Sequence, residues 1–127
     1  MHKVLVVDDD KSLARGLQIR LVNQGFQVLT AHNALVAVGQ ALKQHPDVVI
    51  LDISMPAADG FWVAETVHSL PLTRDMPIIF ITASKKPELR DLARKLGGVA
   101  FFEKPFEMAD LIACVRQTIA AKNTPRR

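Results

Sequence analysis

The sequence predicts an α/β domain in which a parallel sheet is covered by helices on both faces. The first observation is a set of short apolar runs rich in β-branched residues, the clearest at residues 48–51. Such a run is typical of a strand buried on both faces. The second observation is that segments with apolar residues at helical spacing lie between these runs. Strand and helix alternate five times, which is the pattern of a parallel sheet with helical connections.

Composition and length indicate one globular domain. The chain has 127 residues, 49% of them hydrophobic and 23% charged, which is enough for a real core and excludes a disordered protein. The net charge of +3 is mild and includes Arg126 and Arg127, so it does not predict nucleic-acid binding. We expect residues 1–121 to form the domain and residues 122–127 to be a tail.

Cysteine content and hydropathy bear on location. The single cysteine, Cys114, excludes an intrachain disulfide and fits a reducing compartment. No apolar run approaches the roughly 20 residues that cross a membrane, and the N-terminus lacks a signal-peptide pattern. We therefore expect a cytoplasmic protein that does not contact a membrane.

The first strand and helix have clear boundaries. The apolar run at 4–7 stops at Asp8, and a helix is predicted over 11–23. Asp10 is expected to cap the start of this helix, because a side-chain oxygen there accepts hydrogen bonds from free backbone N–H groups. Gly25 is expected to end it. The stripe predicted to face the core consists of Leu13, Leu17 and Leu21.

The later elements continue the alternation. Further strands are predicted at 26–30, 48–51, 77–82 and 99–102, and further helices at 33–44, 60–69, from Pro87 to the glycines at 97 and 98, and at 106–121. The inward residues of the second helix are predicted to be Ala34, Val38, Ala41 and Leu42. Those of the last helix are Met108, Leu111, Ile112, Val115 and Ile119.

Polar side chains stand where four of the five strands end. Asp8 and Asp9 follow the first strand, Asp52 ends the third, Thr82 ends the fourth, and Lys104 follows the fifth. The carboxyl ends of parallel strands meet at one edge, where ligands bind. Clustered carboxylates repel one another unless a cation joins them, and hard oxygen ligands suit Mg²⁺. With a lysine and a hydroxyl to complement an anion, this edge is predicted to be a phosphoryl-transfer site with a carboxylate nucleophile.

Several short motifs together resemble one known family. They are Val-Val-Asp-Asp-Asp at 6–10, Leu-Asp-Ile-Ser-Met-Pro at 51–56, Asp-Gly at 59–60, Ile-Thr-Ala at 81–83 and Phe-Phe-Glu-Lys-Pro-Phe at 101–106. From about Lys3 to Ala121 the chain resembles the receiver domains of two-component response regulators. The resemblance implies a doubly wound, flavodoxin-like sheet of strand order 2-1-3-4-5 with five helices.

The resemblance also implies a phosphoacceptor and a magnesium site. Asp52 would accept a phosphoryl group from a sensor histidine kinase or a histidine phosphotransfer protein. Asp9 would bind Mg²⁺ directly and Asp8 mostly through water, with Asp52 and the backbone carbonyl of Ser54 completing the ligands. The domain would catalyse only its own phosphorylation and dephosphorylation, so it would not be an enzyme in the usual sense.

A switch is implied as well. Lys104 would pair with the phosphoryl oxygens, and the Lys104–Pro105 bond is commonly cis in the family. Thr82 would swing to hydrogen-bond the phosphoryl group, and Phe101 would follow it inward. The surface that changes would be the fourth helix, fifth strand and fifth helix, which would bind an output domain or protein but not nucleic acid.

The chain departs from the family pattern at three positions. The switch aromatic is Phe101, where tyrosine or histidine is often found, so the ring has no polar atom. The positions that tune hydrolysis of the phosphoryl group are the small residues Ser54 and Ser84, which leaves its lifetime open.

Other classes of protein fit the sequence less well. The spacing Asp8-x-Asp10-x-Ser12 loosely resembles the motif of haloacid-dehalogenase-type phosphatases. Such an enzyme would leave Asp52 and Lys104 without a role. A flavodoxin would need a hydroxyl- and Gly-rich phosphate loop, and a phosphorylation-dead scaffold would not need every chemical position filled. The live alternative is a receiver excised from a larger DNA-binding or enzymatic regulator or a hybrid kinase. The four histidines are expected on the surface, and Cys114 is expected only to pack.

Overall fold

The computed structural model describes residues 1–53 and 57–123. These form five strands, β1 (Lys3–Val7), β2 (Gln27–Ala31), β3 (Val48–Asp52), β4 (Ile78–Thr82) and β5 (Ala100–Glu103). They also form five helices, α1 (Lys11–Asn23), α2 (Ala34–Gln44), α3 (Ala57–Ser69), α4 (Pro87–Lys95) and α5 (Met108–Asn123).

The five strands form one parallel sheet in the order β2-β1-β3-β4-β5. This confirms the predicted doubly wound architecture. Val7 is level with Ala31 on one side and Leu51 on the other, and Thr82 is level with Glu103. The strands therefore finish together, and the residues that follow them share one edge.

Two hydrophobic clusters lie on opposite faces of the sheet. Alternate strand residues point to opposite faces, so Leu5 and Val7 belong to one cluster and Val4 and Val6 to the other. The first cluster is covered by α2, α3 and α4, and the second by α1 and α5. Because β3 and β4 are buried along their whole length, the ends of these strands are fixed by core packing.

The stripe predicted for α1 is wrong at one position. Leu13 is 46% exposed, and the buried residues are Ala14, Leu17 and Leu21. The reason is helical spacing: steps of three and four residues keep Ala14, Leu17 and Leu21 on one stripe, whereas two successive steps of four drift around the helix. In α2 the fully buried residues are likewise the alanines Ala37 and Ala41, whereas Ala34, Val38 and Leu42 are only half-buried.

The predicted caps of α1 are present. The Asp10 side chain accepts hydrogen bonds from the backbone N–H groups of Ser12 and Leu13. Gly25, with φ of 94°, follows the C-cap residue Gln24 in the left-handed region that favours glycine.

Several predicted boundaries move. The second strand begins and ends one residue later than expected, and so does the fifth, which leaves Val99 outside it and 53% exposed. The last helix starts at Met108 and runs to Asn123, beyond the expected limit of 121. Pro77 lies outside β4, and Asn33 caps α2 instead of belonging to it. The fourth helix begins at Pro87, as predicted.

The third helix starts at Ala57 and not at Gly60. Gly60 looked like a turn residue in the sequence, but it lies within the helix. A Cβ atom at this position would sit 2.7 Å from Cγ2 of Ile53, closer than real contacts allow. Glycine is required here because the helix passes directly against the chain that leaves β3.

His68 is not on the surface as expected. It is half-buried, with Nδ1 3.0 Å from the carbonyl oxygen of Leu96 and Nε2 2.9 Å from that of Met76. The ring therefore joins the end of α3 to the end of α4 and to the segment before β4.

Cys114 is half-buried on α5, and burial raises the pKa of its thiol. No helix in residues 1–53 and 57–123 is long and apolar enough to cross a membrane.

Candidate functional site

Two carboxylates are buried at the edge where β1 and β3 finish. Asp8 follows β1 and Asp52 is the last residue of β3, and each is only 1% exposed. Both acids are buried because β1 and β3 are interior strands of the sheet. Thr82, at the end of the adjacent β4, is fully buried. Buried carboxylates need a compensating partner, because removing a charge from water is costly.

Lys104 supplies that partner. Its backbone N–H donates a hydrogen bond of 2.8 Å to the carbonyl oxygen of Thr82, which places the residue beside the end of β4. Its ammonium Nζ lies 2.6 Å from Oδ2 of Asp52 and 3.6 Å from Oδ2 of Asp8. The side chain is 20% exposed, so these attractions are only partly screened. The Lys104–Pro105 peptide bond is cis, as the resemblance implies.

The two oxygens of Asp8 differ. Oδ1 accepts a hydrogen bond of 2.9 Å from the backbone N–H of Asp10. Oδ2 is buried and has no hydrogen-bond partner among the described residues, since Lys104 Nζ is within ion-pair range but too far for a hydrogen bond. Burial raises the pKa of Asp8 to about 6, and neighbouring Asp52 adds to the rise, while Asp10 N–H and Lys104 oppose it.

The other predicted ligands are not drawn into this cluster. Asp9 is exposed, and the described part of the chain holds no group of three or more acidic, histidine or cysteine residues able to hold a metal. Ser54 lies outside the described residues. The structure thus brings together Asp8, Asp52, Lys104 and Thr82 and leaves the side chain of Asp9 in solvent.

The residues of the predicted switch lie on adjacent strands. The hydroxyl oxygen of Thr82 accepts a hydrogen bond of 3.0 Å from the backbone N–H of Ser84. Phe101 is half-buried in β5, level with Phe80 of β4. The guanidinium of Arg90 on α4 lies 5.2 Å from the centre of the Phe101 ring, a contact that the sequence did not reveal.

His32, which was expected on the surface, is half-buried. Its Nδ1 lies 3.0 Å from the backbone carbonyl oxygen of Asp8, so the ring contacts the chain directly after β1. The signal was available: His32 directly follows β2, which neighbours β1, and the argument from strand ends applies to it equally.

A groove opens beside the acids on the α1 side. It has a volume of about 730 Å³ and lies between α1 and residues 104–108. Asp8 and Lys104 line it together with apolar side chains that include Leu13, Leu17 and Phe106. Asp8 and Lys104 are therefore open to this groove, whereas Asp52 does not line it.

Comparison with known families identifies the domain. The family model for the response regulator receiver domain matches residues 4–116. The chain belongs to this family. Receiver domains of response regulators work in two-component signalling, where they pair with histidine kinases and output domains. Asp10, the second acid of the haloacid-dehalogenase-like spacing, caps α1 in this receiver domain.

Solved structures resemble this receiver domain closely. Chemotaxis protein CheY4 of Vibrio cholerae is 30% identical, with a TM-score of 0.85 over 93% of this chain and 98% of that one. The non-phosphorylated receiver domain of HemR from Leptospira biflexa is 27% identical, with a TM-score of 0.84 over 100% and 98%. The receiver domain of a histidine kinase from Syntrophus aciditrophicus is 25% identical, with a TM-score of 0.88 over 99% and 96%.

Proposed function

We propose that this receiver domain accepts a phosphoryl group on Asp52 from the phosphohistidine of a sensor histidine kinase or a histidine phosphotransfer protein. The observation that carries the proposal is the 2.6 Å contact between Lys104 Nζ and Asp52 Oδ2. It keeps a cation beside a buried carboxylate at the end of a central strand. The same lysine and the neighbouring Asp8 also line the groove between α1 and residues 104–108.

The transfer is a displacement at phosphorus. A carboxylate oxygen of Asp52 forms the new P–O bond, the P–N bond to the donor histidine breaks, and the imidazole leaves with the electron pair and takes up a proton. Lys104 moves from the carboxylate to the incoming phosphoryl oxygens, whose charge it balances. Most of the catalysis is positioning and electrostatic stabilisation, as is general for phosphoryl transfer.

The residues fit a magnesium ion. Oδ2 of Asp8 is a buried carboxylate oxygen without a hydrogen-bond partner among the described residues, and it lies beside the second buried acid, Asp52. Hard oxygen donors suit Mg²⁺, which usually keeps several waters and needs few protein ligands. We propose Asp8, Asp9 and Asp52 as its side-chain ligands and the carbonyl of Ser54 as a further one. When bound, the ion would neutralise charge on the transferring group.

The readout is proposed to run from β4 to β5. Thr82 would give up its bond from Ser84 N–H to donate its hydroxyl to the phosphoryl group, and Phe101 would move toward the space it leaves. The face formed by α4, β5 and α5 would then bind an output domain or protein, without direct contact to nucleic acid. We propose that the domain acts in the cytoplasm and catalyses only its own phosphorylation and dephosphorylation.

The context could be a stand-alone regulator or one part of a larger chain. The likeness to a receiver domain of a histidine kinase supports the second context. The chemistry proposed for Asp52 is the same in both.

Intact mass after incubation with acetyl phosphate and Mg²⁺ tests the proposal. We expect a gain of one phosphoryl group in the wild type and none in Asp52→Asn. Asp47→Asn is the matched control, because Asp47 lies before the opposite end of β3 and accepts a hydrogen bond from the backbone N–H of Lys3. Asp47→Asn should gain the phosphoryl group as the wild type does. No gain in the wild type would contradict the proposed function.

A further inference from the structure

Arg90 makes two contacts that fix it over β5. Its guanidinium carbon lies 5.2 Å from the centre of the Phe101 ring, and its Nη2 lies 3.5 Å from Oε1 of Glu103. Phe101 and Glu103 are two residues apart in a strand, so they share one face of the sheet. The side chains of Arg90 and Glu103 are 52% and 41% exposed, so the ion pair alone is weak. Its effect is to hold the guanidinium above the ring.

Phe101 is held between this guanidinium and the core. The ring packs against the cluster on the face covered by α2, α3 and α4, where Leu89 and Leu96 are also half-buried. Thr82 lies on the next strand, level with Glu103. Thr82 is fully buried, whereas the side chain of Arg90 is 52% exposed. A movement of the ring inward toward Thr82 would therefore carry it away from the guanidinium, which is held on the outer side by α4 and Glu103.

We infer that Arg90 is a latch that holds Phe101 in its resting position and so opposes the phosphoryl-driven switch. This inference rests on the proposed function. A contact made in only one state weakens the apparent binding of any ligand that selects the other state. A cation–π contact at an exposed site corresponds to about a two- to fivefold change in such a population. The latch sets how readily the domain switches without taking part in the transfer chemistry.

Titration with beryllofluoride in the presence of Mg²⁺ measures this effect, because the complex mimics a phosphoryl group on a carboxylate. Arg90→Met keeps the bulk of the side chain and removes its charge, and we expect it to bind beryllofluoride about two- to fivefold more tightly than the wild type. Arg90→Lys should fall between them. Arg94→Met is the matched control, because Arg94 is on the same helix and lines the same small cavity of about 250 Å³. It should bind as the wild type does.

A double-mutant cycle separates a latch from a general effect on α4. In a Phe101→Leu background, Arg90→Met should have no further effect, because the ring that it releases is absent. Phe101→Met serves as the second background if circular dichroism shows that Phe101→Leu is unfolded. In the resting protein, 4-fluorophenylalanine at position 101 should show a changed ¹⁹F shift on Arg90→Met and none on Arg94→Met.

The outcomes distinguish a failure of the proposed function from a failure of the latch. If the wild type fails to bind beryllofluoride, the proposed function is wrong and the latch falls with it. If the wild type binds and Arg90→Met binds equally or more weakly, only the latch is wrong. A gain in affinity that persists without the Phe101 ring would also overturn the latch.

Discussion

The ammonium of Lys104 lies 2.6 Å from Oδ2 of Asp52, although the two residues are 52 positions apart in the chain. Such a pair is a poor source of stability, because removing both charges from water costs about as much as their attraction returns. The contribution of the pair is to place the ammonium for the transfer. The cation already stands where the negative charge of a phosphoryl group would arrive, so little rearrangement is needed at the moment of transfer.

Asp8→Asn should stabilise the metal-free domain at pH 7.5. The pKa of Asp8 is about 6 in the folded protein against 3.8 for the free group, so between these values the folded state holds a proton that the unfolded state has lost. Stability therefore falls as pH rises from 3.8 through 6, and the full penalty is present above 6. A pKa shift of this size corresponds to a destabilisation of about 3 kcal/mol. We expect Asp8→Asn to recover about 1 kcal/mol of it, since Asn also loses the attraction of Lys104.

Thermal melts in EDTA at pH 7.5 and pH 4 would measure this gain, which should nearly vanish at pH 4. Asp9→Asn is the control, because Asp9 is exposed and its replacement should change stability by less than about 0.5 kcal/mol. A lower melting temperature for Asp8→Asn than for the wild type at pH 7.5 would disprove the crowding of buried acids.

Magnesium should raise the stability of the wild type. Binding to the folded state alone contributes about 2.7 kcal/mol when Mg²⁺ is at a hundredfold excess over its dissociation constant. Asp8→Asn and Asp9→Ala should respond much less, while Asp47→Asn should respond fully. The comparison is made by melts with MgCl₂ against NaCl of equal ionic strength. An unchanged response of Asp8→Asn would mean that the ion binds elsewhere.

Thr82→Ala should separate phosphorylation from its readout. Asp52 and Lys104 are untouched, so the mass gain with acetyl phosphate should be kept. The amide chemical-shift changes across β5 and α4 on phosphorylation should be lost, because the group that senses the phosphoryl oxygens is gone. Thr82→Ser retains the hydroxyl and should keep both. Wild-type shift changes in Thr82→Ala would show that another residue carries the signal.

His68→Ala should destabilise the domain by about 1–3 kcal/mol, because the carbonyl oxygens of Leu96 and Met76 lose the ring nitrogens that contact them. Urea unfolding gives the value. His2→Ala, an exposed position, is the control and should change it by less than about 0.5 kcal/mol. Equal effects of the two substitutions would show that the two His68 contacts contribute nothing.

The parallel sheet and the meeting of polar residues at one edge could be predicted because they follow from alternation along the chain. The strand order was predicted only through the resemblance to receiver domains. The difference between Asp8 and Asp9 could not, since two adjacent acids look alike in sequence and only packing buries the first. Arg90 over Phe101 and His68 between two carbonyls depend on contacts between separate elements. The roles of Asp9 and Ser54 at the metal stay predictions.

The acid–lysine cluster draws one member each from the ends of β1, β3 and β5, and β5 is a four-residue strand at the border of the sheet. If that border strand detaches, the ammonium leaves even while the core of the sheet stays intact. The proposed phosphorylation of Asp52 would then depend on β5 being paired to the sheet. Under the proposed function, a copy with β5 detached would accept the phosphoryl group more slowly than an intact one, because Lys104 would no longer stand beside Asp52.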